Sequence, residues 1–428
     1  MRKLNIAIIG LGNIGSYLYK YLNDNRKILT EKNNCLPVIK YVSAKNKKKK
    51  RNIRIKKSQW LNNYLSAVKS KNVDLIVELI GGAEGPAKKL VFNALQNKKH
   101  VVTANKALIA KYGDQLSKIA EKNRVNLEFE ASVCGGVPII RSLKEGLIAN
   151  KISKIYGILN GTSNYILSSM DKQNKSFDSV LSSAKKLGYA EANPSADLNG
   201  NDVSSKLKIL SSLCFNSFLN NNIYVEGIKD IDKTDIDNAN KLGYKIKLLG
   251  FAELLNNKIY QRVHPTLIKK ESYVASIDGV LNAVIVDGKP VGRSIIQGEG
   301  AGPSATTSAL ISDISSILRG NVKFPFSLSS KERKKIRFEN IEERYFSSYL
   351  RFEVIDKPGV LSNITNIFSK NRVSIKRLIQ NPNKNKKNSS IIIITHKSKN
   401  KSLKKILITV MKKSYIKRKP KLIRIDDI

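Results

Sequence analysis

The stretch Leu4-Asn5-Ile6-Ala7-Ile8-Ile9-Gly10-Leu11-Gly12-Asn13-Ile14-Gly15 decides the fold of the first part of the chain. A short apolar run, typical of a buried strand, leads directly into a G-x-G-x-x-G turn that opens a helix from about Ile14. In such a turn the first glycine makes the tight bend, the second lets a pyrophosphate approach the backbone, and the third lets the helix pack on the strand. The alternative is a glycine-tolerant turn without a ligand. The predicted cofactor-binding residues are Gly10, Gly12, Asn13, Ile14 and Gly15.

Strands and helices alternate through residues 1–130. The predicted strands are Leu4–Ile9, Pro37–Ser43, Val73–Leu79, His100–Thr103 and Val125–Glu130. Alternation of this kind predicts βαβ units with a parallel sheet, and therefore an α/β, Rossmann-type dinucleotide-binding domain.

The end of the second strand bears on which nicotinamide cofactor binds. NAD sites usually have an acid there for the ribose 2′-hydroxyl, but here Ser43-Ala44-Lys45 follows, with a basic loop to Lys57. Because the positive charge of lysines would stabilise a bound 2′-phosphate, we expect NADP to be preferred, with NAD possible. The alternative is that Lys45–Arg51 is a solvated charge run.

Residues 131–320 have a different pattern, in which Gly-, Asn- and Ser-rich loops separate helices and strands. Long loops inside a compact domain usually carry function. We expect an α+β substrate and dimerisation domain, whose helix near Ser304–Leu318 returns to the first domain.

Two groups of polar residues in these regions could perform chemistry. Lys106 follows the strand His100–Thr103, at the sheet edge where ligands bind in open α/β folds. Asp202 and Lys206 are spaced i, i+4 and therefore share one helix face. The functional interpretation is a polar pocket in which burial and neighbours lower the pKa of a lysine that transfers protons. The alternatives are a surface lysine and an ordinary helix ion pair.

The last part of the chain is predicted to be a separate module, residues 346–428, after a charged linker at Lys331–Glu343. Its order is strand, helix, strand, an Asn/Lys-rich loop, strand, helix and strand, which is a ferredoxin-like βαββαβ unit. The predicted elements are Tyr349–Ile355, Val360–Lys370, Val373–Gln380, Ser390–Thr395, Leu403–Lys412 and a final strand.

Composition excludes several classes of function. The net charge of +43 comes mostly from lysines spread over the whole chain. Proteins that bind nucleic acids instead tend to concentrate Arg and aromatic residues on one face. We therefore expect no nucleic-acid partner. No apolar run is long enough to span a membrane. Three cysteines and three histidines without metal-ligand spacing fit a reducing cytoplasm.

Several motifs together resemble the homoserine dehydrogenases. They are GLGNIG, VVTANKALIA, FEASVCGGVPIIR, GILNGTSNYIL, LGYAEANPSADLNGNDVSSK, GYKIKLLG and GEGAGPSATTSALISDI, spread over residues 1 to about 320. The resemblance implies NAD(P)-dependent interconversion of L-homoserine and L-aspartate 4-semialdehyde, in threonine, methionine and isoleucine biosynthesis. Because the chain starts at the nucleotide-binding strand, we expect no fused aspartate kinase.

The resemblance also implies roles for individual residues. Lys206 would be the acid/base. Lys106 would be the second essential lysine, contacting the reacting oxygen or the cofactor. Substrate would be bound by Glu191, Asp202 and Gly188, with Asp197 a further candidate. Thr103 and Gly302 would lie near the nicotinamide. A monovalent cation, sodium by preference, would be held by Glu130, Val133, Gly135 and Val137, since oxygen ligands suit a hard cation.

Three positions depart from the family's usual pattern. Asn193 stands where Asp is most common, Ser195 where Thr is common, and Asn201 replaces an apolar residue. The first change removes one negative charge from the pocket, so substrate affinity is the property that it affects.

The C-terminal module resembles an ACT domain through Asp356-Lys357-Pro358-Gly359-Val360-Leu361. Such domains pair through their sheets and often hold an amino acid at the interface. The resemblance implies feedback by L-threonine and a homodimer or homotetramer.

Two other functions remain open at the level of sequence. An aspartate-semialdehyde dehydrogenase on the same scaffold would need a nucleophilic cysteine, for which Cys134 is the candidate. A non-catalytic amino-acid sensor that also binds DNA would need a helix-turn-helix or an Arg-rich helix, and the sequence shows neither.

Overall fold

The computed structural model describes residues 1–218, 223–382 and 387–428, so residues 383–386 of the predicted Asn/Lys-rich loop lie outside the described residues. The helices are α1 (Asn13–Asp24), α2 (Arg26–Asn33), α3 (Ser66–Lys69), α4 (Pro86–Gln96), α5 (Lys106–Asn123), α6 (Ile139–Arg141), α7 (Gly161–Gln173), α8 (Phe177–Lys186), α9 (Ser195–Leu198), α10 (Asn201–Cys214), α11 (Lys233–Lys241), α12 (Pro303–Leu318), α13 (Val360–Lys370) and α14 (Asn400–Met411). The strands are β1 (Lys3–Ile9), β2 (Leu36–Ser43), β3 (Leu75–Glu78), β4 (His100–Thr103), β5 (Leu127–Glu128), β6 (Lys151–Ile158), β7 (Tyr224–Val225), β8 (Tyr244–Leu255), β9 (Lys258–Lys269), β10 (Leu281–Lys289), β11 (Gly292–Glu299), β12 (Arg337–Phe338), β13 (Tyr345–Ile355), β14 (Ile375–Pro382), β15 (Asn388–Thr395), β16 (Ser398–Lys399) and β17 (Lys421–Asp426).

The first domain is built on a parallel sheet in the order β2-β1-β3-β4-β5. Its strands are apolar on both faces because helices cover both sides, as in doubly wound folds. The predicted Rossmann-type fold is thereby confirmed. The strand predicted at Val125–Glu130 is shorter than expected, because the chain turns into a 3-10 helix at Glu130–Ser132.

Helix α12 belongs to the core of this first domain, although its start lies 175 positions after the end of β5. Its buried residues Leu310, Ile314 and Leu318 pack in one cluster with Ile6 and Leu18. The prediction that this helix returns to the first domain is confirmed.

The second domain contributes the antiparallel strands β6, β8, β9, β10 and β11 to a twelve-stranded sheet among the described residues. Strands β8 and β9 form a long hairpin of twelve residues each. Helices α7 and α10 pack against β8. This mixed arrangement confirms the predicted α+β class.

The C-terminal module has the strand order β17-β13-β15-β14, with α13 and α14 as its helices. This is the predicted ferredoxin-like βαββαβ unit. Its strand β17 also pairs in parallel with β9, Arg424 opposite Thr266 and Asp426 opposite Ile268. The sheets of the second domain and the C-terminal module are therefore continuous, which the sequence did not predict.

The predicted charged linker, Lys331–Glu343, is anchored rather than free. The nearly buried Arg333 forms ion pairs with Asp114 at 3.2 Å and with Glu121 at 2.8 Å, both on α5. Further along, β12 pairs with β9. Arg333 thus holds the charged linker against α5 of the first domain, and strand pairing holds it against the second domain. Among the described residues, no helix combines the length and the apolar character that crossing a bilayer requires.

Candidate active site

Asp202 lies at the centre of a buried cluster of charges. It is on the first turn of α10, and its Oδ2 is 2.8 Å from the Nζ of Lys206 one turn later. Its Oδ1 is 2.6 Å from the Nζ of Lys106, which begins α5 just beyond β4. One carboxylate thus joins two lysines that are 100 residues apart in sequence. Only Lys106 retains a substantially exposed side chain, at 44%.

Asn160 holds the carboxylates in place. Its Nδ2 donates to Asp197 Oδ1 at 2.7 Å and to Asp202 Oδ2 at 2.8 Å. Its Oδ1 accepts from the backbone N–H of Ser163 and so caps α7. Sequence reasoning did not single out Asn160. A signal existed, because an Asn immediately before a helix is a typical N-cap.

The pKa values in the cluster follow from burial and from these contacts. Burial lowers the pKa of Lys206, but the Asp202 carboxylate outweighs it, and the pKa is raised above its usual value. Burial opposes ionisation of Asp202, yet the two lysines hold its pKa well below the usual range. Burial raises the pKa of Asp197. The expectation that burial and neighbours lower the pKa of Lys206 is therefore wrong for this arrangement.

The loop before α9 carries two further predicted site residues, and both are exposed. Gly188 has φ +76°, a conformation that favours glycine. Thr162 Oγ1 donates to the carbonyl of Tyr189 at 2.6 Å and ties the loop to α7. Within the described residues Glu191 makes no side-chain hydrogen bond or ion pair. The structure does not bring Glu191 into direct contact with the charge cluster.

The glycine turn has the geometry that a dinucleotide requires. A Cβ on Gly10 would lie 2.4 Å from the Leu79 carbonyl oxygen, and one on Gly15 would lie 2.1 Å from the Gly10 oxygen, so both positions need glycine. Nothing lies within 4 Å of a Cβ built on Gly12. Helix α1 begins at Asn13 without a side-chain cap, which leaves the N–H groups of Asn13 and Ile14 for a pyrophosphate. These residues fit a bound dinucleotide.

Thr103 is buried at the end of β4 and bonded to an acid that sequence reasoning missed. Its Oγ1 donates to Glu78 Oε2 at 2.5 Å. The other oxygen of Glu78 accepts from the backbone N–H groups of Ile80 and Gly81. Asn105 then connects this loop to α5, through Nδ2 and the Gly82 carbonyl at 2.7 Å. The loop at the cofactor end of the sheet is thus fixed from β3, β4 and α5.

The segment proposed for a cation forms a tight loop next to the turn before α12. Gly135 has φ +33°, and a Cβ there would be 2.8 Å from the Gly300 carbonyl oxygen. Gly302 is exposed, with φ +111°, at the N-cap of α12. The carbonyls of Val133 and Gly135 accept no backbone hydrogen bond among the described residues, whereas that of Val137 accepts one from Ile139.

Glu130 is buried beside this loop. Its carboxylate accepts from the N–H groups of Ile140 and Arg141 at 2.9 and 2.6 Å, and burial raises its pKa to about 7. Among the described residues no group of three His, Cys, Asp or Glu side chains could hold a metal. A cation held by the side or main chain of Glu130 and the backbone oxygens of Val133, Gly135 and Val137 stays a prediction.

Cys134 does not have the properties of a nucleophile. It is 1% exposed, and burial raises the pKa of its thiol. Its Sγ lies 4.0 Å from the Leu159 carbonyl, which also accepts from Lys206 Nζ at 2.6 Å. The thiol is therefore close to the charge cluster but protonated, which disfavours chemistry through a thiolate.

The basic loop after β2 reaches back to the glycine turn. Arg51 Nε donates to the Leu11 carbonyl at 2.9 Å, and its guanidinium lies 5.7 Å from the centroid of Trp60. A cation is thereby placed beside the predicted pyrophosphate loop, next to the end of β2.

Fold and site together define an oxidoreductase that binds NAD(P). The features that define this class are the parallel sheet, the glycine turn and the charge cluster with two lysines beyond β4. A family model described as "Homoserine dehydrogenase" matches residues 138–315, one described as "Homoserine dehydrogenase, NAD binding domain" matches residues 10–130, and one described as "ACT domain" matches residues 348–407.

Relatives agree over the full length. The chain is 38% identical to a homoserine dehydrogenase of Neisseria gonorrhoeae and 38% identical to one of Helicobacter pylori, and each match covers 100% of both chains. A crystal structure of a homoserine dehydrogenase from Thiobacillus denitrificans superposes with a TM-score of 0.91 at 36% identity, over 100% of this chain and 99% of that one. The chain belongs to the homoserine dehydrogenase family, and it acts on a CH–OH group as an NAD(P)-dependent enzyme of amino-acid biosynthesis.

Proposed function

We propose that Lys206 is the acid/base of the interconversion of L-homoserine and L-aspartate 4-semialdehyde, with Lys106 as its partner at the reacting oxygen. The observation that carries the proposal is the Asp202 carboxylate, which is within 2.8 Å of both ammonium groups. When bound, the nicotinamide accepts or supplies the hydride at substrate C4. The chain's own residues bind the substrate, orient it and move the hydroxyl proton.

The raised pKa of Lys206 gives the two directions different proton requirements. At neutral pH Lys206 is an ammonium, ready to donate a proton to the aldehyde oxygen as C4 is reduced. In oxidation the same lysine must first lose its proton before it can accept one from the hydroxyl. Oxidation should therefore become faster as the pH rises.

Substrate binding is assigned to the acids around the cluster. Asp197 and Asp202 present carboxylates toward Asn160, and Glu191 stands in the exposed loop with Gly188. The substrate ammonium would be held by Glu191 and Asp202, with Asp197 contributing charge and Gly188 a backbone group. Glu191 is exposed and makes no side-chain ion pair among the described residues, so its carboxylate is free to bind the ammonium.

For the cofactor we propose NADP over NAD, with NAD still accepted. Thr103 and Gly302 would lie beside the nicotinamide. The loop from Lys45 supplies cations where a 2′-phosphate would lie, and Arg51 is held against Leu11 there. A monovalent cation, sodium by preference, would be bound by the backbone oxygens of the Glu130–Val137 loop.

The remaining features of the proposal concern the whole protein. We propose domain limits of 1–130, 131–320 and 346–428, a homodimer or homotetramer, a cytoplasmic location, and feedback through the ACT domain by L-threonine.

Initial rates of L-homoserine oxidation test the proposal directly. Wild type, Lys206→Met, Lys106→Met and the control Lys208→Met would be assayed with NADP and with NAD, in sodium buffer. Lys208 is on the same helix but forms no ion pair within the described chain. Loss of cofactor reduction in the first two variants only is expected. Activity of folded Lys206→Met close to wild type would overturn the assignment.

A further inference from the structure

Asn282, the second residue of β10, is a fully buried amide without a hydrogen-bond partner. Neither its Nδ2 nor its Oδ1 is paired within the described chain, where no other buried side chain has two unpartnered polar atoms. The Cys134 thiol is its polar neighbour, but sulfur is a weak partner and forms no hydrogen bond of normal geometry with the amide. A buried polar group without a partner costs free energy that an apolar side chain of the same shape would avoid. This cost requires a functional explanation.

The amide of Asn282 lies beneath residues 299–302, which we call the Gly300 turn. Asn282 stands opposite Gly298 where β10 pairs with β11. A Cβ built on Gly300 would lie 2.2 Å from the Cγ of Asn282 and 2.5 Å from its Nδ2, so the amide packs directly against this glycine. The N–H and the carbonyl of Gly300 also make no hydrogen bond within the part of the chain that the structure describes. A donor and an acceptor on the side chain thus lie next to a donor and an acceptor on the main chain, and all four are unpaired.

The Gly300 turn connects two loops of the candidate active site. At one end, the N–H of Gly136 donates to the carbonyl of Glu299 at 2.9 Å. A Cβ on Gly135 would lie 2.8 Å from the Gly300 carbonyl oxygen, so the two loops are in close contact. At the other end, Gly302 is exposed and begins α12. The position of the Gly300 turn therefore determines where the main chain of Gly302 lies.

We propose that Asn282 is a positioning residue for the nicotinamide half of the cofactor. Its amide supplies hydrogen bonds to the main chain of the Gly300 turn when the cofactor is bound, and so holds Gly302 in place. The inference rests on the proposed function, from which it takes the position of the nicotinamide beside Gly302. Because Asn282 is buried beneath the turn, it acts through Gly300 and does not touch the reacting atoms.

Fluorescence titration of the full chain with NADPH separates this role from a purely structural one. Asn282→Leu replaces the amide by an apolar side chain of similar shape, and Asn282→Ala is a smaller replacement in case leucine prevents folding. The matched control is Asn33→Leu, because Asn33 is also a buried asparagine with an unpartnered Oδ1 but ends α2, before β2 begins. Adenosine 2′,5′-bisphosphate, which lacks the nicotinamide half, is the second probe and is measured by calorimetry. Melting temperatures without ligand check folding.

We expect the melting temperature of ligand-free Asn282→Leu to equal or exceed that of wild type, because two unpartnered buried polar atoms are removed. The Kd for NADPH should rise about tenfold, the effect of one ordinary hydrogen bond, while the Kd for the bisphosphate and both values in Asn33→Leu stay unchanged. An unchanged Kd for NADPH in the folded Asn282 variants would overturn the inference, as would equal weakening of both probes. Weakened NADPH binding in these variants of a chain that does not oxidise homoserine would leave the inference standing and remove the proposed function.

Discussion

At the scale of single residues, Asn160 both caps helix α7 and donates hydrogen bonds to the charge cluster. Its Oδ1 caps α7 and its Nδ2 donates to two carboxylates. Two substitutions can therefore separate capping from the contact with the carboxylates. Asn160→Ala should lose about 1 kcal/mol of unfolding free energy with the cap, and about 10- to 100-fold in kcat/KM for homoserine with the hydrogen bonds to Asp197 and Asp202.

Asn160→Ser is the matched control, since serine also caps helices. We expect its urea-unfolding free energy to stay near that of wild type while kcat/KM falls as in the alanine variant. A serine variant with wild-type kcat/KM would show that the bridge to the carboxylates has no role in catalysis.

Part of this site could be predicted from sequence and part could not. The i, i+4 spacing of Asp202 and Lys206 is local, and the position of Lys106 after a strand is a general property of α/β sheets. Asn160 and Glu78 were missed because their importance lies in contacts across 42 and 25 residues. The direction of the Lys206 pKa was mispredicted because it depends on the 2.8 Å distance to Asp202, which a spacing does not give.

At the scale of elements, the β1–turn–α1 unit predicts opposite results for two glycines. Gly15→Ala should destabilise the fold by at least about 1–3 kcal/mol, since its Cβ would lie 2.1 Å from a backbone oxygen that cannot move aside. Gly12→Ala should leave the melting temperature near wild type, because nothing lies within 4 Å, but should raise the KM for the cofactor. Thermal melts and cofactor titrations measure both effects. A wild-type cofactor KM in Gly12→Ala would argue against the pyrophosphate position.

Element types were predictable where periodicity was strong and the contacts were local. The five strands of the first sheet and the βαββαβ order of the C-terminal module are of this kind. The shortness of β5 and the anchoring of Arg333 were not, because a turn at Glu130 and ion pairs to α5 are set by tertiary packing. A run of charges at Lys331–Glu343 looks the same in sequence whether it is solvated or paired.

At the scale of the whole molecule, one continuous sheet joins the substrate domain to the C-terminal module. Strands β9 and β17 pair although about 155 residues separate them, and Arg351 on β13 reaches Asp235 on α11 at 2.8 Å. Parallel pairing of strands from two domains leaves no local pattern, so the sequence predicted three separate modules. The continuous sheet means that the C-terminal module is docked on the substrate domain rather than tethered to it.

The junction predicts a pH dependence of stability. His264 is fully buried on β9, and burial together with the nearby Arg262 and Arg424 lowers its pKa well below the usual value. The unfolded chain binds a proton at His264 more readily than the folded chain does. The neutral histidine therefore contributes to stability above about pH 6.5. As the pH falls below this value, the free energy of unfolding decreases by up to about 1.4 kcal/mol per pH unit.

Urea unfolding at pH 7 and pH 5 checks this expectation. His264→Gln should lose less stability over this range than wild type does, and the control His396→Gln, at an exposed histidine, should behave as wild type. An identical loss in His264→Gln and wild type would contradict the assignment.

The most direct test of the Asp202 cluster is the pH profile of homoserine oxidation in wild type and Asp202→Asn, with saturating NADP and a check of folding at each pH. With Asp202 present, the raised pKa of Lys206 should make the wild-type rate climb through pH 10 without a plateau. In the variant, burial acts on Lys206 without its counter-charge, so the slower reaction should level off at a lower pH. Profiles of the same shape in the two proteins would contradict the claim that Asp202 controls the proton on Lys206.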